Sequence, residues 1–322
     1  VSSIGGHDVS ALLAICAALS FGISDVAGAV ATRRSSVGAA VLAIQLAGFP
    51  LLVVGALMVG GTVSMPAITL GAIVGLLGTG GFLLYMKSMA VGPIGVISPI
   101  SAAVGAGVPV IWALTVVGEA LTALQFAGIA AGIAAVVLVA WSPGSSLRAF
   151  GTAGPMIAFI AGCLFGLSFV ALDATPPDSG LIPLVVGRTV GTIGVLAFAL
   201  HASQRSRHIP TPASASPSGS AHQPIKRQRP YRAIIQGRSG IAAVWRGKTG
   251  ALVTVAGCGD SLAIILFLLA TRSGLLSLAS LLTSLYPGVA LVIARYVLKE
   301  RLNRIQAVGV VFALLAMIAL TI

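Results

Sequence analysis

The chain has 322 residues, of which 57% are hydrophobic and only 8% charged. An ordinary soluble domain carries about 25% charged residues, so this composition excludes one. The net charge of +12 is not a nucleic-acid footprint: nine of the 19 basic residues crowd between Arg205 and Lys248, with no Asp or Glu among them, and most others flank apolar runs.

Apolar runs of about 20 residues, each long enough for a ~30 Å hydrocarbon core, are predicted at 9–31, 37–59, 67–88, 94–116, 122–141, 154–173, 181–200, 250–271, 275–296 and 303–321. The first is too long for a signal-peptide core and is followed by Arg33-Arg34, so it reads as a retained span. Few aromatics and no strand alternation argue against an outer-membrane barrel. The expected fold class is an all-α membrane protein with about ten transmembrane helices. The 40 glycines suit helices packed closely in lipid. Connections at Gly92-Pro93, Gly118-Glu119, Pro176-Pro177 and Ser273-Gly274 are short, which makes successive helices antiparallel neighbours. The segment 201–249 is the exception. His201 to Arg229 is polar and Pro/Ser-rich, with expected disorder, whereas Tyr231 to Lys248 mixes apolar and basic residues. That second part reads either as an amphipathic segment on anionic headgroups or as a solvated loop.

The spans are duplicated. Gly118-Glu119-Ala120-Leu121, with Gln125 and Gly128, matches Glu300, Leu302, Gln306 and Gly309 at a constant displacement of 181 positions. Gly107 pairs with Gly288 and Thr79 with Asp260 at the same displacement. Phe21-Gly22-Ile23-Ser24 matches Phe165-Gly166-Leu167-Ser168, 144 positions on, and Gln45 and Gly48 match Arg188 and Gly191, 143 positions on. The predicted units are residues 1–148 and 149–322, the second interrupted by the basic linker at 201–249. Five spans per unit, an odd number, would insert the two in opposite senses, giving two inverted five-helix repeats. Arg33, Arg34, Arg148, the linker, Lys299, Arg301 and Arg304 share one face, so the positive-inside rule places the odd-numbered loops in the cytoplasm and both termini outside.

Ionisable residues inside a bilayer are costly, so each asks for a partner or a role. Asp25, late in the first span, reads as a proton or cation site, or as a polar residue satisfied by nearby backbone near the membrane face. Asp260, in Gly257-Cys258-Gly259-Asp260-Ser261, is the deepest carboxylate and reads as a cavity residue, as a partner for Arg188, or as both. Arg188 suits a substrate carboxylate or phosphate, snorkelling, or neutralisation of Asp260. Lys87 reads as a snorkelling residue. Trp112, Tyr85, Tyr286 and Tyr296 either line a cavity or mark interfaces. Glu119 and Glu300 sit at turns, where each would favour the positive end of the helix that follows. Cys16, Cys163 and Cys258 lie apart in apolar runs, and the linker histidines form no ligand cluster, so no metal or cofactor is expected. No nucleophile elbow or phosphate loop is present, and the chain does not read as an enzyme.

Met89-Ala90-Val91-Gly92-Pro93 leading to Val96-Ile97-Ser98-Pro99, the turns at Gly118-Glu119 and Lys299-Glu300, and Pro287 and Arg188 together resemble the drug/metabolite transporter superfamily in its ten-span EamA-type branch. The resemblance covers nearly all of the chain outside 201–249. It implies two inverted five-helix repeats around a midplane cavity and transport of small metabolites such as amino acids, or of drugs. Gln45 stands where the pattern of Arg188 would place an arginine, and Ala106 where that of Pro287 would place a proline. The resemblance also implies cytoplasmic termini, opposite to the charge count.

These readings converge on a secondary active transporter of the plasma membrane (a bacterial-type inner membrane) for an amino-acid-like solute or drug, with protons as coupling partner. The substrate and coupling candidates are Asp25, Asp260, Arg188, Thr79, Gln45, Ser98, Trp112 and Tyr286. The other expected partners are lipid, with anionic headgroups at the linker, and in a homodimer a second copy. Alternatives are a non-transporting scaffold or sensor that docks through its linker, and a lipid-carrier flippase.

Overall fold

The computed structural model describes residues 4–91, 94–140, 153–207 and 244–298, together with seven positions between Arg304 and Leu315. Among these residues the ordered elements are helices, and none is a strand. In chain order they are α1 (Ile4–Arg34), α2 (Val37–Val59), α3 (Met65–Val91), α4 (Ile94–Trp112), α5 (Ala123–Ala140), α6 (Ala153–Asp173), α7 (Ile182–Arg207), α8 (Gly247–Ser273), α9 (Leu276–Thr283) and α10 (Tyr286–Leu298). Helix is forced here: in hydrocarbon every backbone N–H and C=O must be paired within its own segment or by a neighbour. Six helical stretches among the described residues are long and apolar enough to cross a membrane, with shorter apolar stretches at Ala123–Ala135, Ile182–Ala197 and Leu276–Ala290. Trp141, Arg148, most of the linker, the Lys299-Glu300 turn and most of 303–321 lie outside the described residues.

Two expected elements differ from the sequence reading. The run 275–296 is not one helix. It breaks after Thr283, where the backbone turns at Ser284 and Leu285 before α10 restarts at Tyr286. Pro287 explains the break, since it has no N–H to offer the Thr283 carbonyl. Helix α7 runs on to Arg207, seven residues into the segment expected to be disordered. His201-Ala-Ser-Gln-Arg-Ser-Arg contains no Gly or Pro, and the first breaker is Pro210.

The helices interlock across the two predicted units. Helix α1 packs on α8 and α3 on α6; α2 lies on α8 and α3 on α7; α2 meets α7, and α4 meets α9. Polar side chains tie the first of these pairs together: Ser24 Oγ donates to the Ala256 carbonyl at 2.7 Å and Ser168 Oγ to the Val74 carbonyl at 3.4 Å. Leu172, Phe267, Leu268, Leu281 and Leu282 belong to the largest apolar cluster, while Val41, Tyr85, Met86 and Ile97 belong to another. The apolar part of the linker contributes too, with Val244 buried against Ala27, Ala31 and Val253.

Glu119 serves a helix other than the expected one. Helix α5 is already capped by its own Thr122 and Gln125: Thr122 N–H donates to Gln125 Oε1 at 2.9 Å, and Gln125 N–H to Thr122 Oγ1 at 3.2 Å. The end of α4 widens into a π-turn over Ala113–Val117, closed by Gly118 at φ +74°. That left-handed glycine carries Glu119 to the start of α9. There its carboxylate accepts from Leu276 N–H at 2.9 Å, from Ser277 N–H at 3.3 Å and from the Ser277 hydroxyl. These amides have no intrahelical partner, and the positive end of α9 favours an anion. Glu119→Ala is therefore expected to cost about 1 kcal/mol, in the range of a lost N-terminal cap. Thermal unfolding in detergent checks this, and Thr122→Ala should lower the midpoint by a similar amount through α5.

Candidate functional site

A cavity of about 140 Å³, room for about five water molecules, lies among α1, α2, α3, α4, α6, α7, α8 and the α9–α10 break. Most of its wall is apolar, with Phe21, Phe82, Phe165 and Phe169 among the lining side chains. Asp25, Gln45, Thr79, Arg188, Asp260 and Tyr286 all line it, which brings six of the eight sequence candidates to one place. Ser98 stands behind the wall, and Trp112 lies at the end of α4, 42% exposed and outside the lining.

Two polar networks are built into the wall. In the first, Arg188 Nη2 donates to Asp260 Oδ2 at 2.5 Å and to Ser261 Oγ at 3.1 Å. Its Nη1 donates to Gln45 Oε1, and Gln45 Nε2 donates to Thr79 Oγ1 at 2.9 Å. The side chains of Arg188 and Asp260 are 9% and 21% exposed, so the ion pair is shielded from solvent. Three helices thus meet through one guanidinium, whose planar array of donors can serve several acceptors at once, and Gln45 extends the network to α3. Gln45, reaching Arg188 from α2, is 3% exposed.

The second network joins three helices. Tyr85 Oη of α3 lies 2.6 Å from Asp25 Oδ2 of α1 and 2.9 Å from Ser98 Oγ of α4. The three residues are 1%, 8% and 3% exposed respectively. When the carboxylate is ionised, the phenol donates to it and accepts from the serine hydroxyl. When the carboxyl is protonated, both hydroxyls can reverse, because each is donor and acceptor. The arrangement accommodates either protonation state without leaving Tyr85 or Ser98 unpaired. Tyr85 also packs edge-on against Phe165, with ring centroids 5.9 Å apart. Tyr286 sits tilted against Phe21 at 6.0 Å.

Tyr85, Ser101 and Ser261 were not among the sequence-selected site residues. Ser261 was legible as the hydroxyl beside Asp260 in a glycine-rich run. Tyr85 carries the one phenol of α3, a signal that the aromatic-belt reading masks. Ser101 lines the cavity at 1% exposure, and among the described residues its Oγ has no hydrogen-bond partner. Nothing in its local sequence distinguishes it from a packing serine.

Residues 231–322 match the model of the EamA-like transporter family. The EamA-like segment contains Asp260, Ser261 and Tyr286, so α8 and α10 bring family-matched residues to the cavity wall. The matched segment is under a third of the chain and shows a likeness to that family there, while the six long apolar helices point to a multi-pass membrane protein. A solved structure described only as "Crystal structure of protein" superposes with a TM-score of 0.63 at 17% identity, covering 96% of this chain and 95% of the other. That likeness bears on the fold alone. No curated protein matches this sequence.

Proposed function

We propose that this EamA-like protein is a secondary transporter. It carries a small organic solute across the plasma membrane by alternating access, in exchange with protons. The observation that carries this reading is the chamber between long apolar helices, on which two carboxylates and one guanidinium converge from α1, α7 and α8. Intramembrane charges facing a cavity mark solute or ion paths by default.

Ten crossings in two inverted five-helix repeats account for the packing. The repeat equates α1 with α6 and α3 with α8, and the pairs α1–α8 and α3–α6 exchange under that relation. Ser24 and Ser168, which the repeat aligns, make equivalent hydrogen bonds across these two pairs. Two such units can rock about the chamber and open it to either side.

Asp25 is the coupling residue in this reading, because it can hold a proton or a charged solute but not both. Protonation and solute then each favour one access state over the other. Asp25→Asn is expected to fold, yet to lose at least about 90% of gradient-driven accumulation in proteoliposomes. Normal accumulation by Asp25→Asn overturns the mechanism.

A further inference from the structure

We propose that the solute is a small monocation with an apolar body, a protonated amine, rather than a zwitterion or an anion. This rests on the reading above in taking the cavity as the solute site. Among the described residues, the charged side chains lining it are Asp25, Arg188 and Asp260. Arg188 and Asp260 neutralise one another, and the remaining guanidinium donors point to Gln45 and Ser261. The guanidinium is therefore occupied. An incoming carboxylate would have to take it from Asp260 and leave that acid unpaired in a low-dielectric wall, which is costly.

Asp25 is different. Among the described residues one hydrogen bond reaches its carboxylate, from Tyr85 to Oδ2, and no cation faces it in the lining. The ionised chamber thus carries one uncompensated negative charge. Two occupants complement it: a proton, or a solute with a single positive charge. The phenyl faces of Phe21, Phe82 and Phe165 suit an apolar body and attract a cation. Room for about five waters limits the solute to a small one.

The test uses the full chain in lipid nanodiscs and four ligands with one phenyl body: 2-phenylethylamine, phenylalanine, 3-phenylpropanoate and 2-phenylethanol. Calorimetry is expected to give 2-phenylethylamine a Kd at least about tenfold below the other three, as a charge-assisted hydrogen bond implies. Asp25→Asn should erase that preference, and an unfolding midpoint close to that of the unaltered chain shows that the variant is folded. Equal or tighter binding of phenylalanine or 3-phenylpropanoate overturns the proposal, as does an unchanged amine preference in Asp25→Asn. Flux of a solute without amine preference defeats the cation site but leaves the transporter. Amine-selective binding without flux in proteoliposomes supports the cation site and defeats the transporter.

Discussion

Arg188→Ala is expected to destabilise the folded protein by about 3–5 kcal/mol and to abolish transport. The variant removes the counter-ion of Asp260 and leaves Gln45 Oε1 and Ser261 Oγ without their donor. Breaking a shielded ion pair by deleting one member strands the other charge, and that is the costly event. Deleting both members behaves differently. An Arg188→Leu/Asp260→Leu double variant replaces two desolvated charges with apolar volume and is expected to unfold within about 1 kcal/mol of the unaltered protein. It should still carry no solute, since the polar wall of the chamber has gone. Denaturant unfolding and proteoliposome flux, measured on the same three proteins, separate the two roles. An Arg188→Ala midpoint equal to that of the unaltered chain would show that the pair does not hold the fold.

The residues of this network were legible because polar side chains in apolar helices are rare and expensive, so Gln45, Thr79, Arg188 and Asp260 stand out without a structure. The repeat even pairs them, Gln45 with Arg188 and Thr79 with Asp260, and the fold brings all four together. What sequence does not carry is which donor meets which acceptor. Asp260 read equally well as a cavity residue and as the partner of Arg188, and the geometry makes it both. Tyr85 failed to stand out because a phenol is at home both in a membrane belt and in a core. Glu119 was recognisable as a capping carboxylate, but its target depends on a π-turn at the end of α4 that composition does not announce. Helix existence follows from hydropathy, whereas the α9–α10 break depends on what one proline does to a run that is otherwise uniformly apolar.

The second large effect is expected at the crossing of α2 and α8. A Cβ added to Gly48 would run into the Gly257 carbonyl and the Ser261 hydroxyl, and one added to Gly257 would meet the Ile44 carbonyl. The obstacle is backbone, which cannot turn aside as the end of a side chain can, so the helices must separate. Gly48→Ala is expected to cost about 1–3 kcal/mol, the usual range for an added methyl in a packed interior. It should also depress flux beyond what the lost stability explains. Gln45 lies one turn before Gly48 and Ser261 one turn after Gly257, and both hold Arg188. Gly38→Ala, in the first turn of the same helix with open space around its Cα, is the control. It should be neutral or stabilise slightly, since alanine is the better helix former. The crossing of α3 and α7 is built alike, with Gly75 against the Gly187 backbone, so Gly75→Ala should repeat the Gly48 result. Equal unfolding midpoints for Gly38→Ala and Gly48→Ala would show that the close approach is not what seats the polar network. A Gly48 effect without a Gly75 effect would show that the two crossings bear unequal loads, contrary to a pair of related units sharing one chamber.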